Sequence, residues 1–386
     1  MIKIENKSKC CGCTACESIC THDAITMHPD TLGFLYPIVD ANKCVECGLC
    51  RDVCQFHDNY KRYDNYDEPI VYALRHKDQE QLMRSQSGAA FFGVAQLMLS
   101  DNGVVYGAAF DETWRVTHQR AINTYELENL RMSKYVQSDI RGIYKQVRED
   151  LRHGLKVLFS GTACQVAGLK AFLPVKLHCN LVCVDIICHG VPSPKIWKEY
   201  ISFLETKYKS RIVRACFRDK RFGWHGAKET FKFESGKEVF RQTSNYLYFN
   251  GLSMRESCAN CQYTNLKRVG DITIGDFWGI PKDSPYEKDK KGLSLILINS
   301  DKGNDIFEKI RENYIIEKSS TIDCLQPQLQ YPSKISPLHN KFVEDYKNNG
   351  FLYVAKKYGD LGWRYKVKIV YIKVRTAFST ILKMFE

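Results

Sequence analysis

Two stretches of the chain repeat one cysteine spacing. Cys10, Cys13, Cys16 and Cys20 stand in C-x2-C-x2-C-x3-C, and Cys44, Cys47, Cys50 and Cys54 repeat it unchanged. This is a thiolate spacing for [4Fe–4S] clusters. Three ligands at successive third positions wrap three corners of a cubane, and the fourth, entering a short helix, reaches the other cluster. One cluster is therefore expected on Cys10, Cys13, Cys16 and Cys54, and the other on Cys44, Cys47, Cys50 and Cys20. Gly12 and Gly48 supply the tight backbone of each loop, and Cys11 falls outside the register. Zinc also takes four thiolates, but generally as two C-x2-C pairs, not as a triplet with a distant fourth, twice over. Disulfides belong to oxidising compartments. Met1–Lys7 is charged throughout and lacks the apolar stretch of a secretory signal. No apolar run approaches the roughly 18 residues that span a bilayer. The expectation is a cytoplasmic protein whose 17 cysteines largely serve metal.

Residues 1–57 thus read as a bacterial-type dicluster ferredoxin domain, with Thr21 and Gln55 where proline usually follows the fourth cysteine. Residues 58–69 are charged and tyrosine-rich without a period, and read as a linker. Beyond them strands and helices alternate, the pattern of a larger mixed-sheet body of α/β or α+β class. Strands are expected at 70–76, 104–110, 155–159, 181–190, 271–277 and 293–299. Helices are expected at 88–103, from about 124, from about 162 and over 193–208, and Ser235-Gly236 should turn a hairpin. Chemistry in such sheets gathers where strands end and helices begin. Cys164 falls in the first helical turn after one strand, and Cys188 and His189 stand just past another, on the same expected sheet edge. Cys258 and Cys261 form a further C-x2-C pair. Cys164, Cys188, Cys258 and Cys261 are the candidate ligands of a third cluster, with Cys179 or Cys183 as substitutes for one of them.

Five stretches follow the two-cluster domain in a fixed order: RSQSGAAFF, SKYVQSDIRG, LFSGTACQVAGLKAFL, VDIICHGVPSP and ESCANCQYTNLKRVGDITIGDFWGI. Over roughly residues 1–330 the chain resembles the coenzyme F-420 hydrogenase/dehydrogenase beta-subunit family, in the form of bacterial relatives from surface-polysaccharide pathways. The resemblance implies an iron–sulfur flavoprotein oxidoreductase. Electrons would pass from a low-potential donor, such as ferredoxin or a redox subunit, through [4Fe–4S] clusters and FAD to a small organic acceptor. That acceptor is F-420, a chlorophyll precursor or another molecule. The resemblance further implies a flavin-binding part over 70–150, a C-terminal domain over 151–335, and a cluster in the region of the third cysteine set. It places FAD contacts among Ser87, Gly88, Lys134, Tyr135, Gln137, Gly161 and Thr162. The chain departs from the family at Ala89, where a second glycine is usual, and at Ala163, where proline is usual. Ala89 adds a methyl where backbone would approach the cofactor. No catalytic acid or base follows; His189, His225 and Asp276 are candidates by position.

The net charge of +12 is spread along the chain and no nucleic-acid-binding motif is present, so nucleic acid is not an expected partner. The loop FRDKRFGWHG gathers Arg218, Lys220, Arg221, Trp224 and His225. It is expected to be a solvated loop, the alternative being a seat for a flat anionic substrate or a phosphorylated cofactor. Residues 336–386 read as a basic helical tail. Within 361–386, Val367, Val370, Tyr371, Val374, Phe378, Ile381, Leu382 and Phe385 share one helical face among six Lys/Arg and one acidic residue. Such a face docks on the protein's own body or on a partner, or lies as a peripheral contact on the inner membrane surface. Three functions stay open: the flavoenzyme, an electron-relay subunit of a larger complex without its own substrate site, and a scaffold with structural clusters.

Overall fold

In this computed structural model the described residues are 1–61, 65–363, 365 and 367. The N-terminal domain is an antiparallel ribbon, β1 (Ile25–Pro29) with β2 (Leu35–Val39), flanked by two short helices, Ala15–Ile19 and Leu49–Asp52. The body contributes β3 (Ile70–His76), β4 (Val104–Phe110), β5 (Val116–Ala121), β6 (Val157–Thr162) and β7 (Leu181–Ile186). It continues with β8 (Ile212–Cys216), β9 (Glu229–Phe233), β10 (Glu238–Arg241), β11 (Ile272–Asp276), β12 (Ser294–Ile298) and β13 (Tyr314–Lys318). Eight of these form one mixed sheet in the order β13-β3-β12-β11-β7-β6-β4-β5, and β8, β9 and β10 form a separate antiparallel sheet. Strands β4, β6, β7 and β11 run parallel at the centre, and the outer strands join antiparallel.

Alternation along the strands gives the sheet two buried faces. Val105, Leu158, Val182 and Val184 point to one face, where helices Ala90–Ser100 and Asp301–Ile310 supply Phe92, Met98 and Phe307. Val104, Tyr106, Val157, Phe159, Leu181 and Cys183 point to the other, against helices Ile143–Arg152 and Ala163–Phe172. Helix Pro194–Tyr208 starts where its sequence says it should: Ser193 Oγ accepts from the Ile196 N–H (3.1 Å) and Pro194 takes the first helical position. The helix expected from about 124 covers only Thr124–Leu130; after it the chain runs irregularly past Met132, at φ 68°, to Gly142. Strands β5 and β13, at the two sheet edges, were not expected; each carries polar residues between its apolar ones, as edges do.

Helix His339–Lys357, bent at Gly350, packs Phe342, Tyr346, Phe351 and Val354 against Trp197 and Tyr200. Of the amphipathic face read in the tail, Val367 is exposed and the positions from Val370 to Phe385 lie outside the described residues. Among the described residues no helix is long and apolar enough to cross a membrane.

Candidate metal centres and the adjoining cavity

Each ferredoxin loop turns through a left-handed glycine, Gly12 at φ +70° and Gly48 at φ +84°, into its short helix. One void in this domain is walled by Cys10, Cys13, Cys16 and Cys54, and a second by Cys20, Cys44, Cys47 and Cys50. The fourth cysteine of each run thus lines the void of the other run. Burial pushes the Cys54 thiol up to about 12 and holds Cys16 well above the ordinary range. Thiols kept protonated by burial give up their protons to a bound metal, so the donor set fits one. Among the described residues no three His, Cys, Asp or Glu are gathered tightly enough to share a single metal ion. The cysteines surround voids instead.

A third void lies between the domains. Cys164, Cys188, Cys258 and Cys261 all border it, although as many as 97 positions separate them in sequence (261 less 164). Cys164 sits in the first turn of helix Ala163–Phe172, behind Thr162, whose N–H bonds Gln165 Oε1 (3.0 Å). Contact with the Cys11 thiol, and the Thr162 hydroxyl at 3.1 Å, hold Cys164 down to about 7 against its burial. Cys188 follows the end of β7, and its sulfur accepts from the Gly190 N–H (3.3 Å), the kind of bond that stabilises a ligating sulfur. Burial pushes Cys258 up to about 12. The turn carrying Cys258 and Cys261 is tied down by Arg268, which bonds Asp185 on β7 (2.9 Å) and the Tyr263 carbonyl. The proposed substitutes stand elsewhere: Cys183 is buried in the core on β7, and Cys179 is exposed with its sulfur toward the Lys176 carbonyl.

Cys11, left without a role by its spacing, borders both this void and the one around Cys10. Gln55, one of the two departures from the ferredoxin pattern, donates to the Cys164 carbonyl (2.9 Å) and docks the N-terminal domain on the body. Nothing in the local sequence signals either contact, because each partner lies in another domain.

A cavity of about 260 Å³ opens beyond the third void, at the carboxyl ends of β4, β6, β7 and β11. Ser87, Lys134, Tyr135, Gly161 and Thr162 line it, and Gly88 and Gln137 do not. Gly88 is packed under β3: a Cβ there would stand 2.0 Å from the Leu74 carbonyl. Gln137 instead spans the domains, donating to the Cys11 carbonyl (2.8 Å). Ala89 occupies a left-handed position at φ 69°, so the family's small-residue requirement there is conformational. The cavity suits a flat ring system; it is smaller than the roughly 300–1,000 Å³ that enclose whole ligands, so the remainder of a dinucleotide would extend outside it.

Of the acid–base candidates, His189 and Asp276 line the cavity. His189 Nδ1 meets Gln328 Nε2 at 2.8 Å, and burial lowers its pKa. Asp276 Oδ2 accepts from Arg218 (2.6 Å), while its Oδ1 is buried with no partner among the described residues. His225 stands outside, half-exposed, against Glu287 (2.8 Å). His118, unnoticed in the sequence, also lines the cavity; burial drops it to about 4, so its ring is neutral between Ser138 Oγ (2.5 Å) and the Ser160 carbonyl (2.9 Å). Lys134 donates to the carbonyls of Asn129 (2.8 Å) and Arg131 (2.6 Å), and burial lowers it to about 7.

The loop 218–225 corrects its expectation. Arg218, Lys220 and Trp224 are buried, because Lys220 Nζ bonds the carbonyls of Leu82 (2.6 Å) and Ser87 (2.8 Å) and pins the loop beneath the cavity wall. Trp224 stacks on Trp278 at 4.7 Å.

Residues 154–323 match the family model for the C terminus of the coenzyme F420 hydrogenase/dehydrogenase beta subunit, and residues 9–57 match the 4Fe-4S dicluster domain. No curated protein matches the chain. Among solved structures, it is similar to a chain of the xenon-derivatised F420-reducing [NiFe] hydrogenase complex from Methanosarcina barkeri, at 16% identity and a TM-score of 0.42 over 78% of this chain and 98% of that one. With the beta-subunit domain joined to a dicluster domain, the chain belongs to the coenzyme F420 hydrogenase/dehydrogenase beta-subunit family, as an iron–sulfur electron-transfer protein of oxidoreductase type.

Proposed function

We propose that this protein is an iron–sulfur flavoprotein oxidoreductase that takes electrons from a low-potential donor and delivers them, through three [4Fe–4S] clusters and FAD, to an organic acceptor. The observation that carries the reading is serial adjacency. Cys11, Gln55 and Phe56 border both the void around Cys10 and the third void, and Thr162, Cys188 and His189 border both the third void and the cavity. Clusters supply one-electron steps and a flavin gathers two electrons. The outer end, at Cys47, is exposed and would meet the donor. Ser87, Lys134, Tyr135, Gly161 and Thr162 would hold the flavin ring at the inner end. Lys134, near neutrality in its affinity for a proton, can hold or release one at Nζ beside the cavity. Twelve ligating thiols need a reducing compartment, which supports a cytoplasmic protein.

Anaerobic purification tests this directly. About twelve iron and twelve sulfide per chain are expected, with one flavin. Reduced ferredoxin should bleach the flavin, and a small acceptor should restore it without a partner protein. An iron-loaded protein that never retains flavin would shift the function to electron relay within a larger complex, and a protein without iron would refute it.

A further inference from the structure

Arg255 lies at the junction of the two inner voids with no exposed surface. Its Nε donates to the Cys10 carbonyl (2.7 Å), Nη1 to Gln137 Oε1 (2.9 Å), and Nη2 to the Leu35 carbonyl (2.9 Å) and, at 3.5 Å, to the Cys10 sulfur. The guanidinium stands 4.3 Å from the centre of the Tyr36 ring and 5.4 Å from that of Phe34. Gly12 admits it: a Cβ there would lie 2.8 Å from Nη1. Apart from the Cys10 sulfur, these partners are uncharged, and among the described residues no carboxylate pairs with Arg255. A guanidinium taken from water needs negative charge to offset its desolvation. Thiolate sulfur is the negative charge within reach, at Cys10 in contact and at Cys258 three residues along.

We infer that Arg255 is the fixed internal counter-charge of the cluster site formed by Cys10, Cys13, Cys16 and Cys54, and that it raises the reduction potential there above that of the outer site. The inference rests on the cluster reading above. Reduction adds one negative charge, and a nearby buried cation favours the more negative state, strongly so where water is excluded. The outer void, around Cys20, Cys44, Cys47 and Cys50, has no lysine or arginine in its lining. An electron entering at Cys47 would therefore move inward toward the more stabilising site. A purely structural latch, tying the Cys10 loop to the body, would leave potentials alone once the fold is intact.

The test is an EPR-monitored redox titration of full-length, anaerobically purified protein with parallel iron and sulfide analysis. R255Q should keep its iron yet lower one cluster's midpoint so that its reduction equilibrium weakens at least tenfold, about 59 mV for a one-electron couple. The outer signal, identified by its loss in Cys20→Ser, should stay in place. R255K, which keeps the charge, should retain most of the wild-type value. Q137E sets a carboxylate against Nη1 and should lower the same midpoint while Arg255 remains. Unmoved midpoints in iron-loaded R255Q overturn the inference, as does an equal shift in R255K and R255Q, the mark of a latch. If R255Q loses iron, Q137E decides: an unmoved midpoint, or loss of iron there too, overturns it. Wild-type protein lacking iron refutes the cluster reading itself, and the inference with it.

Discussion

Asp185 and Arg268 hold the Cys258–Cys261 turn against the sheet, and separating them should both destabilise the body and empty the third site. Both side chains are buried, at 0% and 1% exposure, and meet at 2.9 Å. Asp185 Oδ2 also accepts from the Gly270 N–H (2.9 Å), and Arg268 further donates to the Ile186 carbonyl (3.2 Å). Asp185→Asn keeps the shape but leaves a buried guanidinium without its anion, which costs about 3–5 kcal/mol. At roughly 2–4 °C per kcal/mol for domains of this general size, the thermal midpoint should fall by about 6–20 °C. Iron should drop from about twelve to about eight per chain, because the two N-terminal sites do not depend on this clamp. Circular dichroism melts and iron analysis on the same anaerobic preparations provide the readout. The double variant Asp185→Leu/Arg268→Met removes both charges and should recover much of the stability without recovering the iron. A midpoint within about 2 °C of wild type in Asp185→Asn, with iron unchanged, would refute the argument that this pair clamps the ligand turn.

Cys20→Ser should deplete the site walled by Cys44, Cys47 and Cys50 despite its place in the first run, whereas Cys11→Ser should leave iron unchanged; EPR with iron analysis distinguishes them, and equal losses from Cys11→Ser and Cys13→Ser would sink the register. Glu229, fully buried beneath Tyr200 Oη (3.0 Å), is pushed by burial from 4.5 up to about 8. The folded state therefore retains a proton that the unfolded carboxyl releases, so stability falls as pH rises from about 4.5 to 8, by at most about 5 kcal/mol. Glu229→Gln keeps the neutral shape and should lose that slope; denaturant titrations at pH 5 and pH 8.5 that run parallel for both proteins would count against it.

The N-terminal ligand runs were legible in the sequence because the first three cysteines of a run fall within seven residues, so local backbone alone brings three thiols to one face. The same holds for the central strands and for the helices behind Thr162 and Ser193, whose alternation and capping are local properties. Spacing also suggested that Cys164 and Cys188 share an edge, since each follows a strand of one parallel sheet. What brings Cys258 and Cys261 to that edge is the insertion of β11 between β7 and β12, a pairing of distant strands. The burial of Lys220, the bridge from Gln55 to Cys164, and the position of Cys11 between two voids arise in the same way, from surfaces that meet only after the sheet is assembled. Arg255 is the clearest case. In the sequence it is one of many basic residues in a chain of net charge +12, and only tertiary structure removes it from water and sets it against Cys10. Ligand identity could be read along the chain because covalent spacing carries it; the order of the sites and the charge around them depend on long-range packing, which no local period records.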